Sequence, residues 1–183
     1  MSKQVLVPIA DGIEEIEAVC IIDVLRRAGA DVTVATVDGL QVTASRGVKL
    51  VADVLITECV DRIYDLIALP GGMPGAEHLR DSKELIELLK LQQREGRLFG
   101  ALCASPAVVL QYHGLLDDRK ATCHPKFSDR LKNREDIESR VVVDGNCVTS
   151  RGAGTAIEFA LKLVELLFGS EKASELDRSM IVH

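Results

Sequence analysis

Cys103 stands at the end of an apolar run, Leu98-Phe99-Gly100-Ala101-Leu102, and the chain leaves it through Ala104-Ser105-Pro106 into Ala107-Val108-Val109-Leu110. The run has the composition of a buried strand. Serine followed by proline starts a helix, because the hydroxyl can cap free amides and proline suits the first helical position. The cysteine is therefore expected on a sharp strand-to-helix turn, with its sulfur at the positive end of a helix dipole. That placement favours thiolate over thiol, and the thiolate is the nucleophile. The layout is that of a nucleophile elbow without the G-x-S-x-G spelling. A packed core cysteine is the competing reading.

Three other segments carry groups that could serve such a sulfur. Gly12-Ile13-Glu14-Glu15-Ile16-Glu17 opens a helix. Glu14 and Glu15 suit the dipole of its first turn. Glu17 lies further in, between Ile16 and Ala18; facing the strand edge it would be desolvated and keep its proton near neutrality, able to bond a thiolate and shuttle protons. Pro70-Gly71-Gly72-Met73-Pro74-Gly75 is either a tight loop or a place where backbone amides approach a ligand oxygen. In the second case the N–H of Gly72, with that of Ala104, makes an oxyanion hole. His124 precedes Pro125 and is held extended or in a turn. It is the histidine placed to reach Cys103 as base, acid or orienter; His78, His113 and His183 read as surface residues.

The elements that must position these groups follow from periodicity. Gln4–Ile9, Asp31–Thr36, the segment 64–69 and Leu98–Leu102 read as buried strands, and Ala121-Thr122 as a short one. Helices are expected over 13–28, from a Ser82 cap through Glu95, from Ser105 to about Tyr112 or His113, from Cys123-His124-Pro125 through Leu131, over 156–168, and in a short tail from Ser170. Gln41-Val42-Thr43 and Lys49-Leu50-Val51 flank a turn, and Val141-Val142-Val143 with Cys147-Val148-Thr149 reads as a hairpin. Strand, helix and strand within the first part make a βαβ unit with parallel pairing. The sum is one doubly wound α/β domain over 1–183, with its site outside the carboxyl ends of the strands. That edge collects the segments after Ile9, Leu69, Leu102 and Thr122.

Composition narrows the function. A net charge of −6 and no basic block argue against a nucleic-acid-binding module. No apolar run reaches membrane-spanning length, and Met1-Ser2-Lys3-Gln4 leads into a strand rather than a signal peptide, so a cytoplasmic location is expected. The five cysteines form no C-x-x-C pair and are expected reduced. Cys123-His124 is a poor start for a zinc site, so no metal is expected. The glycines lack G-x-G-x-x-G spacing, and dinucleotide binding is unsupported.

These segments together resemble the ThiJ/PfpI superfamily, in the branch of the Parkinson-disease-linked protein deglycase and bacterial YajL. Besides the pieces above, the match is carried by Asp23-Val24-Leu25-Arg26-Arg27-Ala28-Gly29, Ser45-Arg46-Gly47-Val48 and Thr149-Ser150-Arg151-Gly152. The resemblance implies a three-layer flavodoxin-like sandwich with a mostly parallel central sheet, a homodimer, and a reactive cysteine paired with a protonated glutamate. On this chain the roles fall on Cys103, Glu17 and His124, with backbone donors at Gly72 and Ala104. It also implies pocket or dimer-side support from Glu14, Arg27 and Arg46. Ser105 stands where the family often has Gly or Ala, and Ala153 where it often has Pro, which bears on substrate preference. Ala104 occupies the place of the histidine that the protease-like branch sets after its nucleophile, against a peptidase.

The implied activity is a cofactor-independent glyoxalase or deglycase, acting on methylglyoxal and glyoxal or on their early adducts with proteins and nucleotides. The alternative is an oxidative-stress sensor with holdase-type chaperone activity, working through oxidation of the same cysteine. A part in thiamine metabolism or amidotransfer finds no nucleotide site here.

Overall fold

A computed structural model describes residues 2–183; Met1, the first residue of the leader considered above, lies outside the described residues. Val-rich β1 (Gln4–Ile9), β2 (Asp31–Thr36), β6 (Leu66–Leu69) and β7 (Leu98–Leu102) are buried almost throughout. That is what parallel strands covered on both faces require. With β5 (Val54–Leu55), β8 (Val141–Asp144) and β9 (Cys147–Ser150) they form a seven-stranded sheet in the order β5-β2-β1-β6-β7-β9-β8. All pairs are parallel except β8 with β9. A separate antiparallel hairpin joins β3 (Gln41–Thr43) to β4 (Lys49–Val51).

The helices form the outer layers. One group is α1 (Glu15–Arg27), α4 (Ala156–Phe168) and α5 (Ser170–Ser179); the other is α2 (Gly75–Asp81), α3 (Lys83–Arg94) and a π-helical segment over Pro106–Gln111. In α3 the buried Leu85, Leu88, Leu89 and Gln92 recur at helical spacing, and Ser82 Oγ accepts the Leu85 amide at 3.3 Å as its cap.

Several expectations are corrected. The helix expected over 13–28 is α1, beginning at Glu15. α2 and β5 were not anticipated: α2 is too short for a periodic signal, and β5 pairs for only two residues. Ala121-Thr122 is not a strand, and the segment after Pro125 is a 3₁₀ helix ending at Arg130. Ser105 does not cap the helix that follows it.

The chain runs from β1 to β2 on one side and resumes with β6 on the other, so the order reverses between β1 and β6. The β1–β6 ladder pairs Val5 and Leu6, while the β1–β2 ladder continues to Ile9. The segments that follow β1 and β6 leave the sheet at its carboxyl edge beside that reversal, where such sheets place ligands.

Candidate active site

Cys103 closes β7 with φ 61°, a left-handed conformation that costs a non-glycine residue about 1–3 kcal/mol. Its N–H donates to the Ser150 carbonyl at 3.0 Å, and its carbonyl accepts the His124 N–H at 2.8 Å. The strained turn is thus pinned from the neighbouring strand and from the loop after Thr122. It holds a half-buried sulfur at the carboxyl edge of the sheet, near the backbone N–H groups of Gly72 and Ala104.

Gly71 and Gly72 make that approach possible. A side chain on Gly71 would fall 2.6 Å from the Cys103 Cβ and 2.9 Å from the Ala104 nitrogen. Gly72 has φ 92°, where L side chains are disfavoured. The Gly71 carbonyl accepts the Glu14 amide at 2.9 Å, which locks this loop to the start of α1.

Glu17 has no solvent exposure. Its Oε2 accepts the Gly71 N–H at 2.7 Å, and its Oε1 is buried without a hydrogen-bond partner. Burial pushes the carboxyl from the ordinary 4.5 up to about 7, against the pull of the Gly71 amide and the Cys103 thiol, with the Glu14 charge adding to the rise. The carboxyl keeps its proton close to neutrality. Carboxyl and thiol shift each other's protonation without closing a hydrogen bond of ordinary geometry.

The thiol itself departs from the sequence reading. Burial pushes Cys103 up to about 12, and the nearby charge of Glu17 pushes the same way, while the Gly72 and Ala104 amides pull it down. A dipole argument made without burial gave the opposite direction.

His124 is joined to the site through its backbone. Its Nδ1 accepts the Lys126 amide at 3.2 Å, and its ring meets Phe127 edge-on at 6.2 Å between centroids. Burial lowers its pKa, with the charges of Lys126 and Arg151 adding to the effect, so the neutral ring is favoured. An Nδ1 that accepts leaves the proton on Nε2.

The remaining expected residues are distributed differently. Glu14 is the N-cap of α1, its Oε2 accepting the Glu17 amide at 2.9 Å. Arg46 is exposed, and its Nη1 donates to the neighbouring Ser45 carbonyl at 3.3 Å. Arg27 is not brought to the carboxyl edge within this chain. It lies in the last turn of α1, about 15 Å along the helix from Glu17, and pairs with Asp23 at 2.6 Å.

Two residues of the site escaped the sequence. The Gly71 amide is the donor to Glu17, and the glycine pair that drew attention to Gly72 was the available signal. Glu15, expected to serve only the dipole, is buried and accepts Ser45 Oγ at 3.1 Å and the Arg46 amide at 2.8 Å. No sequence signal names those partners. Among the described residues, no three His, Cys, Asp or Glu side chains gather as a metal site.

An open, mostly parallel sheet with a cysteine on a strained turn at its carboxyl edge and a buried carboxylic acid nearby defines a class: flavodoxin-like α/β proteins with a thiol site. The chain belongs to the DJ-1/PfpI family, whose model matches residues 3–166. It is 53% identical over 182 residues to Protein DJ-1 homolog B of Arabidopsis thaliana; the match takes in 99% of this chain but 42% of that protein, so the chain spans less than half of that relative's length. It is 39% identical over 177 residues to the Caenorhabditis elegans protein named glutathione-independent glyoxalase DJR-1.2, covering 96% of this chain and 93% of that one. The solved structure of oxidized Toxoplasma gondii DJ-1 matches with a TM-score of 0.96 at 51% identity, covering 98% of each chain.

Proposed function

We propose that this chain is a single-domain, cofactor-independent glyoxalase or deglycase, acting on methylglyoxal and glyoxal or on their early adducts with proteins and nucleotides. One observation carries the reading: a fully buried Glu17 carboxyl and a Cys103 thiol on a strained turn lie close enough that each shifts the other's protonation, with the Gly72 and Ala104 amides acting on the same sulfur. The name of the Caenorhabditis elegans relative supports it.

In the reaction, the Glu17 carboxylate takes the thiol proton and the sulfur pair forms a C–S bond to the aldehyde carbon of methylglyoxal. The carbonyl π pair moves onto oxygen, where the Gly72 and Ala104 amides hold it until Glu17 hands on the thiol proton and is a carboxylate again. His124 or Glu17 then removes the C–H proton of the hemithioacetal and returns it to the adjacent carbon, while the hydroxyl proton passes to the neighbouring oxygen, which gives a thioester of a 2-hydroxy acid. Water breaks the C–S bond, releasing lactate and restoring the thiol. The sum is methylglyoxal plus water to lactate, with no oxidant or reductant. The experiment is lactate release from methylglyoxal by wild type, Cys103→Ser and Glu17→Gln. Loss of about a hundredfold or more in both variants is expected; equal output from all three overturns the proposal.

A second reading is favoured by differences among the thiols. Cys59, Cys123 and Cys147 are buried, whereas Cys103 and Cys20 are partly exposed, and only Cys103 faces two amides and a carboxyl. The Toxoplasma gondii relative is described in an oxidized form. Two equivalents of peroxide would carry the Cys103 thiolate through sulfenate to sulfinate, each releasing water, in a protein that reports oxidative stress. Mass spectrometry after mild peroxide should find two added oxygens on Cys103 first; equal oxidation of Cys20 overturns this reading. Both activities start from a reduced thiol, and a cytoplasmic location is proposed with them because thiols are kept reduced there. The homodimer is proposed on an exposed apolar face of α1 and the β3–β4 hairpin.

A further inference from the structure

Ser105 is fully buried and caps nothing. Its hydroxyl instead reaches across 35 residues and donates to the Pro70 carbonyl at 2.5 Å. The other end of that same peptide unit is the Gly71 N–H, which donates to Glu17 Oε2 at 2.7 Å. One amide plane therefore connects a hydroxyl next to the nucleophile with the carboxyl that faces its sulfur. We propose that Ser105 is a positioning residue that tunes the Glu17–Cys103 pair through the Pro70–Gly71 peptide.

The coupling has two parts. An amide whose oxygen accepts a strong hydrogen bond is more polarised, so its N–H becomes a better donor. A better donor favours the carboxylate over the acid, which lowers the pH at which Glu17 can accept the thiol proton. The second part is steric. This peptide is jammed against the elbow, with no room for a Gly71 side chain beside the Cys103 Cβ, so a loop released from Ser105 would change the spacing of carboxyl and sulfur directly. The titratable groups that act on Glu17 are Glu14 on its own helix and Cys103 at the end of β7; Cys20 feels the charges of Glu17, Glu14 and Asp23 from the outer face of α1. None of these touches Ser105 or the Pro70 carbonyl by a side-chain hydrogen bond, so the hydroxyl can be removed without replacing any of them.

The inference rests on the reading of Cys103 as the reactive thiol, but its test does not need lactate. The rate of Cys103 alkylation by iodoacetamide is followed against pH, with the modified peptide counted by mass spectrometry. Ser105→Ala and Ser105→Gly are each expected to move the lower midpoint of that profile upward by on the order of half a pH unit. In a Glu17→Gln background the same substitutions are expected to move nothing, because no carboxyl is left to respond. Leu89→Ala, a buried change on α3 away from this amide, is expected to lower the melting temperature and leave the midpoint in place. An unmoved midpoint in both Ser105 variants overturns the proposal. So does an equal shift in the Glu17→Gln background, or one produced by Leu89→Ala. Should the midpoint move while wild type makes no lactate, the glyoxalase reading fails and the role of Ser105 stands.

Discussion

A carboxylic acid with no exposure must be matched by hydrogen bonds or keep its proton, and Glu17 has one amide for two oxygens. The folded state therefore holds this proton to a higher pH than the unfolded chain, about 7 against 4.5. Between those values the folded state binds more protons than the unfolded one, so raising the pH through that window withdraws stability. Below it the group contributes in full. Glu17→Gln keeps an acceptor for the Gly71 amide and never ionises, so it should match wild type near pH 4 and be the more stable protein near pH 8, by on the order of 3 kcal/mol at most. Calorimetric melting of both proteins at the two pH values checks this, and a wild type that melts higher near pH 8 would show that the carboxylate is better satisfied than its single amide suggests. A site that gains stability when its acid is neutralised has kept that acid at a cost, as proton-transfer sites do.

The first turn of α1 sends three carboxylates to three different places. Glu14 turns back to cap the Glu17 amide, Glu15 reaches out to Ser45 and Arg46, and Glu17 reaches in to Gly71. One helix start thereby fixes the β3–β4 hairpin on one side and the glycine loop on the other. Periodicity made α1, α3 and α4 legible, and the apolar runs made β1, β2, β6 and β7 legible, because each buries a face whose repeat is written in its own residues. The carboxyl-edge rule brings Glu17, Gly72, Cys103 and His124 into one region. What stayed hidden depends on partners distant in the chain. Ser105 reads as a cap locally and is instead a tether to Pro70, and Glu15 reads as a dipole charge and is instead a latch. The direction of the Cys103 shift was hidden for the same reason: the dipole is local, whereas burial is set by the whole site.

At the scale of the whole molecule, two neighbouring elements leave large apolar side chains in solvent. Ile16 and Val19 on the outer face of α1 are 55% and 48% exposed, and Val48 and Val51 on the adjoining hairpin are 48% and 72% exposed. The Glu15 contacts with Ser45 and Arg46 hold the start of α1 against the hairpin that carries Val48 and Val51. Exposed apolar surface of this kind marks interfaces. A second copy of the same chain would cover it across a two-fold axis, α1 against α1, as self-complementary surfaces do. Arg46, with its guanidinium in solvent on that hairpin, would then lie at the junction of two subunits, whereas in one chain it reaches only its neighbour's carbonyl. Sedimentation equilibrium at micromolar concentration should find a two-chain species. Ile16→Glu together with Val51→Lys should give folded single chains, because each places a charge where the partner's apolar side chains would desolvate it. Neither position is buried in the single chain, so circular dichroism of the double variant should match wild type. A wild type that sediments as one chain, or a double variant that still pairs, would rule out this face as the interface.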